Sequence, residues 1–118
     1  LSTEKLLDNL VTAADNKRAE DIVVLDMKGL SLIADYFIIC HANSGKQVQA
    51  ISREMKDVSE EMEIEVKKIE GFDEGKWILM DFGDVIAHIF HRDERSYYNL
   101  EKLWGDAPMI DVVSRVNH

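Results

Sequence analysis

Two short stretches near the middle of the chain, Trp77-Ile78-Leu79-Met80 and Val85-Ile86-Ala87, are apolar at every position. A strand with one face in water alternates apolar and polar side chains, so strands written this way call for cover on both faces. Gly83-Asp84 lies between them, and glycine at the first central position suits a type II′ turn. Trp77–Phe82 and Val85–Phe90 are therefore expected to pair as a hairpin. Whatever the chain folds into must supply apolar material on two sides of it.

The rest of the sequence supplies two long amphipathic helices. Leu6, Leu7, Leu10, Val11 and Ala14 recur at helical spacing over Thr3–Arg18, with Ser2 or Thr3 placed to cap the start. Val48, Ile51, Met55, Val58 and Met62 form a narrow seam on a second helix, which Asn43 or Ser44 can cap and which ends near Met62. Asp21–Met27, Asp35–Cys40 and Ile64–Glu70 read as strands, and Ser96–Trp104 as a short helix ended by Gly105. The order is α-β-β-α-β-β-β-α. It predicts an α/β fold with a mixed five-stranded sheet. Residues 1–105 form one domain in this reading, and 106–118 a tail, in which Pro108–Val112 is either a short interaction strand or disordered. Two helices cover only one face of such a sheet. The other face calls for the helix near Tyr97–Trp104, a second copy of the chain, or a partner, since a large exposed apolar patch marks an interface.

Charge narrows the class of partner. The 118 residues carry 14 basic and 23 acidic side chains, a net charge of −9. Such a chain is repelled by phosphate backbones and anionic lipid and drawn to basic proteins. Direct DNA binding is not expected. No apolar run approaches the length of a membrane span. The first sixteen residues are amphipathic and carry acids, unlike a signal peptide, and the opening Leu1 fits a trimmed or processed chain. Cys40 is the single cysteine, so no internal disulfide forms and a reducing, cytoplasmic setting is expected.

The candidates for chemistry are thin. His88 and His91 are three apart on a strand and point to opposite faces, which makes no metal pair. Asp81 and Asp84 straddle the hairpin turn; turn chemistry accounts for them better than a cation site or acid–base pair does. Asn43-Ser44-Gly45-Lys46 opens a helix after a strand, but the first glycine of a phosphate-binding loop is missing and Gln47 follows the lysine, so an N-cap is the simpler reading. Cys40 reads as a buried structural thiol, and Glu60-Glu61-Met62-Glu63 as a solvated acidic face. No catalytic residue, metal ligand or cofactor site is assigned. Ser96–Trp104 is the most distinctive segment: two tyrosines and a tryptophan within nine residues, of types enriched at interface hot spots. Helical phase there turns Tyr97, Leu100 and Trp104 inward and Tyr98, Glu101 and Lys102 outward.

Three stretches resemble the ribosomal silencing factor family, also called Iojap-like. They are Asp35–Cys40 with Asn43-Ser44 and Gln47-Val48, the hairpin Trp77–Phe90, and Tyr97–Trp104. The similarity runs from about Leu6 to Trp104, which would make 1–105 a single silencing domain. The resemblance implies a nucleotidyltransferase-like α/β fold without enzymatic activity, and the Asp-x-Asp pair of nucleotidyltransferases is indeed missing. It implies a homodimer when free and binding to the large ribosomal subunit through ribosomal protein L fourteen. There the protein would block joining of the small subunit and repress translation when nutrients are scarce. On that basis Trp77 is expected to be the aromatic anchor. Asp81, Asp84, Tyr98, Glu101 and Lys102 are expected at the polar rim, with His88 supporting the site from the sheet. The competing readings are a divergent nucleotidyltransferase-type enzyme around Ser44, Asp81 and Asp84, and a dimeric adaptor for another basic protein.

Overall fold

In the computed structural model, which describes residues 3–112, 115 and 116, ten elements follow one another. They are α1 (Thr3–Asn16), β1 (Glu20–Asp26), β2 (Tyr36–Ala42), α2 (Gly45–Glu61), β3 (Lys68–Glu70), β4 (Trp77–Asp81), β5 (Val85–His91), α3 (Arg92–Tyr98), α4 (Leu100–Leu103) and β6 (Met109–Ile110). The strands form one mixed sheet in the order β3-β4-β5-β2-β1-β6. Only the central β2–β5 pair is parallel, with Ile38 opposite Ala87; the other pairs are antiparallel.

The doubly apolar hairpin has the two covers it requires. Side chains of one parity, including Ile38, Cys40, Ile78, Met80, Ala87 and Ile89, pack with Leu7, Leu10 and Val11 of α1 and Val48, Ile51 and Met55 of α2. Those of the other parity, including Leu25, Phe37, Ile39, Ile86 and Phe90, form a second core with Leu100 and Ala107. The aromatic-rich segment after the hairpin is thus the second cover. It stops short of the β4 margin, where Trp77 and Leu79 remain only partly buried.

Local chemistry sets the ends of the elements. Ser44 caps α2, its Oγ accepting the Gln47 N–H at 3.1 Å. Gly83 turns the hairpin with φ +99°, while Asp84 has no left-handed backbone, as a type II′ turn requires. Phe82 N–H donates to the Val85 carbonyl across it at 2.9 Å.

Four expectations are corrected. The sheet has six strands, not five, because Met109-Ile110 of the expected tail pairs with Val24-Leu25 at the edge of β1. The third strand is shorter than Ile64–Glu70: only Lys68–Glu70 enters the ladder, after a left-handed residue at Glu63. The closing helix begins at Arg92 and not at Ser96: Arg92–Arg95 is helical and opens α3, capped by His91, whose Nδ1 accepts from Asp93 N–H. The single helix expected over Ser96–Trp104 is two, broken at Asn99, whose left-handed backbone (φ 45°) ends α3 and whose side chain caps α4.

Candidate functional site

At the β4 margin, four rings meet. Trp77 stacks on Phe90, directly opposite it in the β4–β5 ladder, with centroids 4.9 Å apart. Tyr98, at the end of α3, lies 4.6 Å from Trp77 and 6.4 Å from Phe90. His88, opposite Leu79, lies beneath them and contacts the ring of Phe37 edge-on at 4.8 Å. Alternation along β4 and β5 puts these side chains on the same face of the sheet.

His88 is only 5% exposed. Burial pushes its pKa down to about 4, so the ring is neutral near pH 7. Its Nδ1 accepts the Trp77 indole N–H at 3.2 Å. The Nε2 atom is buried without a partner among the described residues. An unsatisfied buried donor costs about 1–3 kcal/mol, which sets this imidazole apart from an ordinary core residue. Beside Trp77, on the uncovered side, Glu70, Gly71 and Leu79 complete a shallow groove. Gly71 has φ +79°, and a Cβ there would meet the Trp77 carbonyl oxygen at 2.1 Å, so only glycine fits.

The structure brings Trp77, His88 and Tyr98 together and distributes the other expected residues. Asp81 lies on the same face of β4 but is drawn to the turn, its Oδ1 accepting the Gly83 N–H at 2.8 Å. Asp84 is exposed at the hairpin tip, where Oδ2 accepts the Thr3 hydroxyl at 2.9 Å. Both carboxylates are therefore engaged in local structure. Lys102 is exposed on α4. Glu101 is not free at a rim: its Oε1 accepts the Nε–H of Arg95 at 2.8 Å. Tyr97, expected to turn inward, is 81% exposed, and Tyr98 is 45% exposed while its ring rests against Trp77. The left-handed break at Asn99 explains the outward Tyr97, because α3 and α4 do not share one helical phase.

Arg95 is the functional-looking residue that sequence patterning passes over. It is buried, and one guanidinium binds the Glu101 carboxylate, the Asp21 carbonyl at 2.6 Å and the His41 Nδ1 at 2.9 Å. The carbonyl it takes lies where the β1–β2 register shifts between Glu20 and Val23 and where Asp21 has φ 49°. A bulge takes carbonyls out of the ladder, and Arg95 supplies a donor there. Burial, then the Arg95 charge, holds the His41 pKa below its usual value. Cys40, also near Arg95, is fully buried, and burial raises its pKa to about 12. Among the described residues, no group of three His, Cys, Asp or Glu side chains is arranged to hold a metal ion. None of the described helices is long and apolar enough to cross a membrane.

The model of the family described as "Ribosomal silencing factor during starvation" matches residues 1–118. The chain is 62% identical over 112 residues to the ribosomal silencing factor RsfS of Bacillus subtilis (strain 168), covering 95% of each chain. It is 30% identical over 113 residues to a Mus musculus protein named "Mitochondrial assembly of ribosomal large subunit protein 1", covering 93% of this chain and 50% of that one. A crystal structure of a protein from Bacillus halodurans shares the fold with a TM-score of 0.83 and 53% identity, over 92% of this chain and 99% of that one. By the family match over its full length and by these identities, the chain belongs to the ribosomal silencing factors, which are not enzymes.

Proposed function

We propose that the chain represses translation by binding the large ribosomal subunit through ribosomal protein L fourteen and occupying space the small subunit needs. Membership of the silencing factors supports a ribosome-associated role, and the name of the mouse relative supports the large subunit as the partner. The mechanism is steric. A ligand that binds only the unjoined large subunit shifts the joining equilibrium by its differential affinity, with no chemistry required. Shutting down translation when nutrients are limiting is the setting in which such a shift is useful, and the cytoplasm is the compartment.

The observation that carries this reading is the partly buried Trp77 at the margin that the second cover leaves open. A large aromatic ring backed by a rigid sheet and rimmed by polar groups has the form of a binding hot spot. Trp77 is the anchor in this reading, and Tyr98 is its neighbour in contact. Asp81, Asp84 and Lys102, which lie apart from the aromatic cluster, make outlying polar contacts with the partner, with Glu101 acting through Arg95. The net charge of −9 steers the chain toward a basic ribosomal protein rather than bare RNA. When free, the chain forms a homodimer that covers the same margin.

The test is sedimentation of purified chain with isolated large subunits. Trp77→Ala, matched for foldedness, weakens binding by about 2 kcal/mol or more, while neutralising Asp84 or Lys102 costs less and loses its effect in high salt. Undiminished binding by Trp77→Ala rules out this anchor. Dimers that persist unchanged in Trp77→Ala rule out the shared surface.

A further inference from the structure

Trp77 has a single hydrogen-bonding group, the indole N–H, and that group is turned inward. It donates to His88 Nδ1 at 3.2 Å. An indole N–H donates only, so Nδ1 must be unprotonated, and the neutral imidazole carries its proton on Nε2. Nε2 is the atom left buried without a partner among the described residues. The surroundings of the ring are aromatic: Phe37, Phe90 and Trp77. A phenylalanine at this position would fill the space without an orphaned donor. What the imidazole adds over it is an acceptor for the indole. Stacking on Phe90 and the tilted contact with Tyr98 hold the plane of Trp77 but do not distinguish an indole from its flipped form. The bond to His88 does.

We propose that His88 is a positioning residue for Trp77: by capturing the indole N–H in one tautomer, it fixes the ring so that a partner meets apolar aromatic surface with no hydrogen bond to gain. The inference rests on Trp77 being the docking anchor, and it adds the recognised chemistry. The partner group seated on Trp77 is an apolar contact, the aliphatic stem of a basic side chain included, and not a hydrogen-bond acceptor such as a carbonyl or phosphate oxygen.

Two measurements test it. In the unsubstituted chain labelled with nitrogen-15, the His88 shifts report the Nε2-protonated tautomer at pH 7, and the Trp77 indole proton exchanges with solvent far more slowly than in His88→Phe. A His88 ring protonated at Nδ1, or an even mixture of tautomers, overturns the proposal whether or not docking is measured. The second is a double-mutant cycle on large-subunit binding. His88→Phe weakens binding about five-fold, the worth of one typical hydrogen bond, when Trp77 is present and has no effect on the Trp77→Phe background. His88→Gln, which keeps an acceptor, recovers part of the loss. Equal loss on both backgrounds makes His88 a packing residue and overturns the positioning role. Full binding by His88→Phe alongside impaired binding by Trp77→Ala also overturns it, while leaving the anchor in place. Full binding by Trp77→Ala removes the anchor itself.

Discussion

At the scale of single residues, two buried titratable groups give the protein measurable signatures. His88 is neutral in the fold, with a pKa near 4, against 6.5 for a free imidazole. Above pH 6.5 neither state is protonated and the contribution is fully present. As pH falls from 6.5 toward 4, the unfolded chain takes up a proton that the folded chain refuses, and stability drops by about 3 kcal/mol before levelling off. His41, also shifted downward, acts in the same direction. Urea unfolding at pH 7 and pH 4.5 measures the loss, and His88→Phe removes most of the His88 share; an unchanged pH slope in that variant contradicts the assignment. Cys40, with its pKa raised to about 12, is a thiol and not a thiolate at any ordinary pH. A chromogenic disulfide reagent at pH 8 therefore modifies it only as fast as the chain opens, and immediate reaction in the native state refutes that burial. Cys40 was legible as a structural thiol from its place in an apolar strand without an evident base. The orphaned Nε2 of His88 was not legible, because the spacing of His88 and His91 gives the face of the ring and not its partners.

At the scale of elements, the second cover depends on Arg95. Its side chain ties α3 to Glu101 of α4 and to the bulged carbonyl of Asp21 in β1, and it also bonds His41 of β2. Removing one member of a buried charge network strands the others, at a cost of about 3–5 kcal/mol. Arg95→Ala is therefore expected to loosen α3 and α4 first, with faster amide exchange over 92–103 and dye binding to the exposed aromatic core; exchange that rises uniformly over the chain contradicts this local role. The hairpin, the Ser44 cap and the amphipathic seams were readable because each depends on near neighbours in sequence. Nothing in the sequence marked Arg95, since two of its partners are 54 and 74 positions away and on other strands. Tyr97 faces outward for a local reason of a different kind: one left-handed residue, Asn99, resets the helical phase on which its inward assignment depended. β6 stayed open between a short strand and disorder over Pro108–Val112, because two residues carry no periodicity and the strand exists only as a complement to the free edge of β1.

At the scale of the whole molecule, the sheet has one face roofed by α1 and α2 and one roofed by α3, α4 and Ala107 except at its β4 margin. The demand for cover on two sides was written in the hairpin. Which segment would meet it, and where it would fall short, depended on the packing of α3, α4 and Ala107. The surviving opening is small, aromatic and set in an acidic molecule, features suited to docking on a basic protein and with no evident chemistry of their own. The measurement that most directly tests steric silencing is light scattering on mixing small and large ribosomal subunits in the presence of increasing amounts of the purified chain. Joined particles are expected to disappear as the large subunit becomes saturated, the chain to sediment with the large and not the small subunit, and Trp77→Ala to require a much higher concentration for the same effect. Undiminished joining at saturating occupancy of the large subunit would contradict steric silencing.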